Sequence, residues 1–360
     1  MDINKATQRY EAWLRSNLPV VIEADLEYKH QQMADAVFPF FRATFYRWAQ
    51  RVAQLFPEFD SAPVVLSVGD IHVENYGTWR DADGRLVWGI NDFDESTPLS
   101  YPGDLVRLAT SAALATGEQK LALHPRESAD AIIAGYHDGI VRGGGPFVLA
   151  ERHIRLRRLV TGELRDPVRF WTKMQALPEA SLAVYPPEAV DAAVTALPEH
   201  GADGGASIRS RRAGLGSLGR PRVVALAPWQ GGAVAREVKA ILPSAWSWAR
   251  NDPSPTIHYA EVLDRAVRCR DPHTAVHNRW LVRRLAPDCV RVELADLPAV
   301  RDEAALLGWM GFELANVHLG TADVRSSIVE DLAGRPPGWL LSAAERMADD
   351  TRDDWRTWRS

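Results

Sequence analysis

Little in this sequence supports a covalent or metal-built scaffold. Its 360 residues include only two cysteines, Cys269 and Cys289. Two thiols cannot make a disulfide framework, and their spacing matches no metal-ligand pattern, so a reducing, cytoplasmic setting is expected. No apolar run approaches the ~20 residues a membrane helix needs, and the opening MDINKATQRYEAWLRSN has no apolar signal stretch. No membrane association is therefore expected. Positive charge is not in excess either. Forty-two Lys and Arg stand against 47 Asp and Glu, a net −5, which argues against a nucleic-acid partner held by overall charge. Internal repeats and low-complexity tracts are also lacking. What is present is an ordinary globular composition, 46% hydrophobic and 25% charged, long enough for roughly two lobes with their own cores.

The hydrophobic pattern gives the order α/β, helices, β-rich, helix, and hence an α+β class. Phe41, Phe45, Trp48, Val52 and Phe56 recur at helical spacing, which predicts a helix over 40–56. Val64–Val68 reads as a short buried strand ending at Gly69-Asp70. The turn sequence Asp81-Ala82-Asp83-Gly84 predicts a hairpin whose return strand, 85–90, delivers Asn91-Asp92-Phe93-Asp94-Glu95. A helix is expected from about Asp104 to Thr116, with Asp104 suited to cap it. Residues 121–177 read as mostly helical, broken at Gly143–Pro146. Residues 178–207, rich in proline and glycine, are the best linker. Strands are expected at 222–226, 233–242 and 280–285, a helix at 258–268, and another at 302–319. The expected units are thus a helix-rich lobe over 1–177, the linker, a β-rich lobe over 208–300, and helices over 301–360 that complete the larger lobe.

The densest chemical cluster is Gly69-Asp-Ile-His-Val-Glu-Asn75, followed by Asp92-Phe-Asp94. Asp70 and Asn75 have the D-x-x-x-x-N spacing of a kinase catalytic loop, in which the aspartate accepts the proton of the attacking hydroxyl and the asparagine holds magnesium. Asp92 and Asp94, returned by the hairpin, are the further metal candidates. Moving a phosphoryl group builds charge on its oxygens, and carboxyl-type ligands hold the cation that offsets it. A simpler reading keeps Asp70 as a turn residue and residues 92–95 as a solvated acidic loop. His72 and Glu74 fall on what alternation makes the exposed side, with His72 retained as a supporting candidate, as is Asp104.

Gly214-Leu-Gly216-Ser217-Leu-Gly219 is a literal G-x-G-x-x-G. A dinucleotide site needs a helix directly after the glycines. Here Pro221 and a β-branched run follow, giving the strand–glycine loop–strand order in which backbone amides cover ATP phosphates. Arg209, Arg211, Arg212, Arg220 and Arg222 crowd this loop, either as a solvated face or as phosphate neutralisers. Lys239, in REVKA on the next strand, is the phosphate-gripping candidate, with Glu261 of the following helix as its partner. Glu237 is too near in sequence for that role. His318 lies on the apolar stripe of the 302–319 helix and reads as a core histidine.

Taken together, GDIHVENYG, WGINDFDESTPLSYPGDLVRLATS, GLGSLG, REVKA and FELANVH resemble a bacterial family known as domain of unknown function 2252. That family is kinase-like and distantly similar to aminoglycoside phosphotransferases. The resemblance implies that Asp70 is the catalytic base, that Asn75 and Asp92 bind metal, and that Gly214–Gly219 and Lys239 hold the phosphates of ATP with Mg2+. It also implies a two-lobed protein-kinase-like fold in circularly permuted order, because the catalytic loop precedes the glycine loop. Departures from the pattern include Val68 in place of a histidine before Gly-Asp, and Asp94 in place of the DFG glycine. The expected activity is phosphoryl transfer to a small hydroxyl- or amine-bearing acceptor. Nucleotidyl (AMP) transfer on the same fold, a metallophosphoesterase and a catalytically inactive ATP-binding protein stand as rivals. The sequence leaves the acceptor and the oligomeric state open.

Overall fold

The computed structural model describes residues 1–161, 166–198, 205–289, 291, 294 and 302–360. Helices α1 (Ile3–Asn17), α2 (Glu23–Asp35), α3 (Val37–Ala43) and α4 (Phe45–Leu55) come first. The helix expected over 40–56 is therefore two, interrupted at Thr44, whose φ of −119° and ψ of 39° leave the helical region. Strand β1 (Val64–Ser67) pairs antiparallel with β4 (Thr97–Ser100). Between them lies the expected hairpin, β2 (Tyr76–Arg80) and β3 (Leu86–Ile90), turned at Asp81–Arg85 and extended by β5 (Phe147–Val148).

Helix α5 (Pro102–Gly117) runs through the middle of the large core and is buried almost all round. It packs against α14 (Trp339–Arg359), whose amphipathic face buries Leu340, Ala343, Ala344, Met347 and Ala348. Helices α6 (Pro125–Arg142) and α12 (Glu303–His318) cross in backbone contact. A Cβ on Gly135 would fall 1.8 Å from the carbonyl oxygen of Gly308, and one on Gly311 would fall 2.1 Å from that of Ile132. Only glycine allows that approach, which brings His318 into the core as the sequence suggested. Helices α7 (Ile154–Val160), α8 (Pro167–Gln175) and α13 (Val324–Gly334) complete this part of the chain.

The later β-rich region is one antiparallel sheet of β6 (Ser207–Ser210), β7 (Arg222–Trp229), β8 (Gly232–Ala240), β9 (Ala275–His277) and β10 (Trp280–Leu285), in the order β6-β7-β8-β10-β9. Its alternation sets two faces. Val223, Ala225, Val238, Ala240 and Val282 join the main core, whereas Val224, Leu226, Ala235 and Leu285 meet Met174 of α8. The segment 178–207, expected as a linker, is part of the packing. It contains α9 (Pro187–Thr195), which contacts β7, β8 and β10 and buries Ala189 and Ala193. Residues 199–204 of that segment lie outside the described residues. The expected helix at 258–268 is shorter, α11 (Tyr259–Arg265), preceded by α10 (Ala245–Ala249). The fold is thus of mixed α+β class, with a cleft of about 710 Å³ between the hairpin loops and the five-stranded sheet.

Candidate functional site

The cleft is built where β1 ends. Gly69 has φ +78°, and a Cβ there would lie 2.2 Å from the carbonyl oxygen of Glu95, so only glycine lets the chain turn into Asp70. Asp104 secures the turn from below. Its carboxylate accepts from the amides of Val68 (2.7 Å) and Gly69 (3.0 Å) and contacts His318 Nε2 at 3.1 Å. Asp104 therefore does not cap its own helix. It braces the end of β1, the supporting role that the sequence allowed it. His318 in turn meets the hydroxyl of Tyr136 at 2.8 Å.

Asn75 ties the two acidic loops together. Its Nδ2 donates to the carbonyl of Asp70 (3.3 Å) and to that of Asp92 (3.0 Å), so the amide bridges the β1 loop and the β3 return. Asp70, Asn75, Asp92 and Asp94 all line the cleft, as do Gly214, Gly216 and Ser217. Lys239 reaches down from β8, buried, with Nζ 2.5 Å from Asp94 Oδ2 and 3.3 Å from Asp92 Oδ2. Burial disfavours ionisation of Asp92, but Lys239 and Arg283 outweigh it and hold the carboxyl below its ordinary value. Burial and the charge of Asp92 raise Asp94.

Glu261 is not the partner of Lys239. It pairs with His258 (2.7 Å), the residue before α11, and with Arg265 (2.9 Å) at its end. The two hairpin aspartates take its place. His72 and Glu74 are buried, not exposed, because the segment bends instead of alternating as a strand. His72 Nδ1 accepts from the Glu74 amide at 3.2 Å, and burial with nearby Arg42 holds its imidazole well below the ordinary value, hence neutral. Glu74 pairs with Arg42.

Asp70 has one dominant partner that sequence reasoning missed. Arg107 of α5 is completely buried and contacts Asp70 Oδ1 through both Nε, at 3.1 Å, and Nη2. Its guanidinium lies 4.2 to 5.4 Å from the rings of Phe41, Phe45 and Trp48. The signal was available: a lone arginine in the apolar run 105–109 must find a buried counter-charge. Burial raises the Asp70 carboxyl, and Arg107 partly offsets this. The second oxygen, Oδ2, faces the glycine loop, where a Cβ on Gly216 would sit 3.1 Å from it.

The glycine loop lies between β6 and β7, as strand–loop–strand order required, but it is pinned instead of extended. A 3-10 turn at Leu215–Ser217 uses the amides of Ser217, Leu218 and Arg220 on loop carbonyls. Lys29 Nζ donates to the Gly216 carbonyl (3.2 Å), and the Ile22 amide donates to that of Gly219 (2.9 Å), whose left-handed φ of +92° sits against Leu26. Burial lowers Lys29 to about 8. Of the five surrounding arginines only Arg212 is exposed, so they do not form a solvated face. Arg220 is buried on Glu95 (2.9 Å), Arg222 is buried on Glu237 (2.7 Å), and Arg212 pairs with Asp25. Arg209 bonds Ser207 and the Leu177 carbonyl.

Among the described residues, no three His, Cys, Asp or Glu side chains converge as a metal site. The donors available at the hairpin are instead Asn75, Asp92 and Asp94. All are oxygen ligands, which suit a hard divalent cation such as magnesium. Asp94 Oδ1 is buried without a hydrogen-bond partner, and the Asp92 side chain remains about one-third exposed to the cleft. This set fits Mg2+ with the remaining positions left to ligand oxygens.

A family model described as "Uncharacterized protein conserved in bacteria (DUF2252)" matches residues 21–154. That span supports the resemblance drawn from the first two motifs. It includes Asp70, Asn75, Asp92, Asp94 and Asp104 and stops before the glycine loop and Lys239. No curated protein and no solved structure matches the chain.

Proposed function

We propose that this chain is a phosphotransferase that binds magnesium–ATP in the cleft and moves a phosphoryl group to a small hydroxyl- or amine-bearing acceptor. The observation that carries this reading is the contact of Lys239 with Asp92 at 3.3 Å, beside an Asn75 that bridges the backbones of Asp70 and Asp92. A base, two kinds of oxygen donor and a lysine beside the metal-holding carboxylates are what phosphoryl transfer requires, since the protein's task is positioning and offsetting charge. A bound magnesium would supply neutralisation of the charge that develops on the transferred group. Asn75, Asp92 and Asp94 are the residues to hold it.

On this reading Asp70 orients the acceptor and takes its proton on Oδ2, because Oδ1 is committed to Arg107. Lys239 and Arg220 draw the phosphates toward β8. The antiparallel sheet, with the glycine loop between its first two strands in sequence and the lysine on the third, is the kinase-type ATP lobe. It follows the catalytic loop in the chain instead of preceding it, hence a permuted order.

An acceptor screen with ATP labelled on the γ-phosphate, with magnesium, tests the proposal. Label should pass to an acceptor with wild-type protein, and Asp70→Asn should slow transfer ~10²–10⁴-fold, the usual worth of a general base. Wild-type transfer by the folded Asp70→Asn protein would defeat the assignment. Transfer of label from the α-phosphate instead would replace it with nucleotidyl transfer.

A further inference from the structure

Two residues before Lys239, on the same face of β8, stands Glu237, and the cleft treats it very differently. It is completely buried and gathers three guanidinium groups. Its Oε1 accepts from Arg222 Nη1 at 2.7 Å and from Arg283 Nε and Nη2 at 2.9 and 2.8 Å, while Oε2 accepts from Arg211. Burial opposes its ionisation, but the three arginines hold it well below the ordinary carboxylate value. One negative charge therefore anchors three positive ones. The nearby acids offset only part of the surplus: Asp92 and Asp94 share the single Lys239, the charge of Asp92 also bears on Arg283, and Glu95 holds Arg220.

Burying one carboxylate needs one cation, and desolvating the guanidinium charge that remains in excess is costly. All three arginines line the cleft. Arg211 spends only Nη1 on Glu237 and Arg283 spends Nε and Nη2, so Arg211 Nε and Nη2 and Arg283 Nη1 have no acceptor among the described residues. Arg220 Nη1, on a side chain 2% exposed, makes no hydrogen bond but lies 3.6 Å from Asp94 Oδ2. Glu237 thus acts as an internal clamp that fixes planar donors in place, the arrangement that suits bidentate binding of a phosphate or carboxylate.

We propose that Arg211 and Arg283, held on Glu237 beside an Arg222 whose second Nη is spent on Ser217 Oγ, form a second oxyanion subsite in the cleft, separate from the Lys239–Asp92 centre. The fitting ligand is a small molecule whose phosphate or carboxylate oxygens meet the guanidinium donors that face the cleft. This inference does not rest on phosphoryl transfer, because it needs only charge and geometry.

The test is calorimetric titration of the full chain with inorganic pyrophosphate and, separately, with malonate. Wild type should bind at least one of them saturably, and Arg211→Gln should weaken that binding at least tenfold. Arg211 is part-exposed, so the fold should survive, and thermal melting checks this. Arg283→Lys, which keeps the charge but loses the planar fork, should weaken binding several-fold as a second reading. Arg270→Gln, an equal charge loss on an exposed side chain paired with Asp264, should leave binding unchanged. Preference for pyrophosphate assigns the subsite to phosphate, and preference for malonate assigns it to a carboxylate-bearing ligand. Absence of saturable binding by wild type, or equal binding by folded Arg211→Gln and Arg283→Lys, overturns the subsite. Pyrophosphate binding that depends on Arg211, in a protein that transfers no label from ATP, would leave the subsite standing while the phosphotransferase reading falls.

Discussion

The Nζ of Lys239 lies 3.3 Å from Oδ2 of Asp92, across 147 residues of sequence. That contact joins the five-stranded sheet to the β2–β3 hairpin at the floor of the cleft. The lysine is almost wholly buried, so it is the main compensation for two neighbouring carboxylates, with Arg220 3.6 Å from Asp94 and Arg283 acting on Asp92 as further cations.

Replacing Lys239 by Met should therefore cost stability as well as any activity. Removing one partner of a buried ion pair typically costs about 3–5 kcal/mol, because a charge is left uncompensated. Urea unfolding should show a loss near that range at pH 7. The double variant Lys239→Met/Asp94→Asn should recover part of it, since one stranded carboxylate is removed. A double variant whose loss equals the sum of the losses of Lys239→Met and Asp94→Asn measured singly would show that the two residues do not interact energetically.

Arg107 sets the titration of Asp70. It favours the ionised carboxylate, so Arg107→Met should raise the Asp70 pKa further above its ordinary value. If Asp70 is the base, it must be deprotonated to work, and the acid limb of the pH–rate profile should move to higher pH. Carboxyl resonances followed by NMR should report the same upward shift without any assay. An unmoved acid limb, with folded protein and measurable turnover, would remove Asp70 from the base role.

Sequence order made part of this site legible. The D-x-x-x-x-N spacing, the hairpin turn and the strand lysine each rest on local chemistry, and the structure brings Asp70, Asn75 and Asp92 to one cleft with Lys239 buried against Asp92 and Asp94. Glu261 failed because pairing between a strand lysine and a later helix depends on helix length and placement, which local pattern does not fix. His72 and Glu74 failed because an eight-residue loop, 68–75, need not alternate as a strand does. The role of 178–207 was hidden by its prolines, which here flank and open α9 instead of marking a free linker. Arg107 was legible and overlooked: charge in an apolar helix is itself a statement about a distant partner. The three arginines of Glu237 come from β7, β10 and the glycine loop, and only strand register brings them together.

Asp104 should prove structural first and functional through Asp70. Its carboxylate serves two buried amides and His318, so Asp104→Ala strands all three. An unsatisfied buried donor costs about 1–3 kcal/mol, and a loss of about 3 kcal/mol or more is expected on urea unfolding. Asp104→Asn retains one acceptor oxygen and should cost less. Hydrogen exchange should show the amides of Val68 and Gly69 deprotected in the alanine variant. Protection equal to wild type would mean that β1 is held by other contacts.

Glu313 gives a pH dependence with a definite sign. It sits buried on α12 against Gly89, accepting from the Ile90 amide (3.2 Å) and Asn316 Nδ2 (2.7 Å). Burial raises its pKa to about 7, only partly opposed by Arg268. A carboxyl raised in the folded state binds more protons there than in the unfolded chain, so its contribution is full below about 4.5 and declines as pH rises through about 7. At ~1.4 kcal/mol per pKa unit, that amounts to about 3 kcal/mol across the window. Glu313→Gln should abolish this component, adding at most a constant cost from its amide facing Asn316. Unfolding free energies measured from pH 4.5 to 8 for both proteins should therefore diverge, with the variant gaining on wild type as pH rises. Parallel curves would mean that Glu313 stays ionised throughout, which would make Arg268 its effective counter-ion across the α12–hairpin contact.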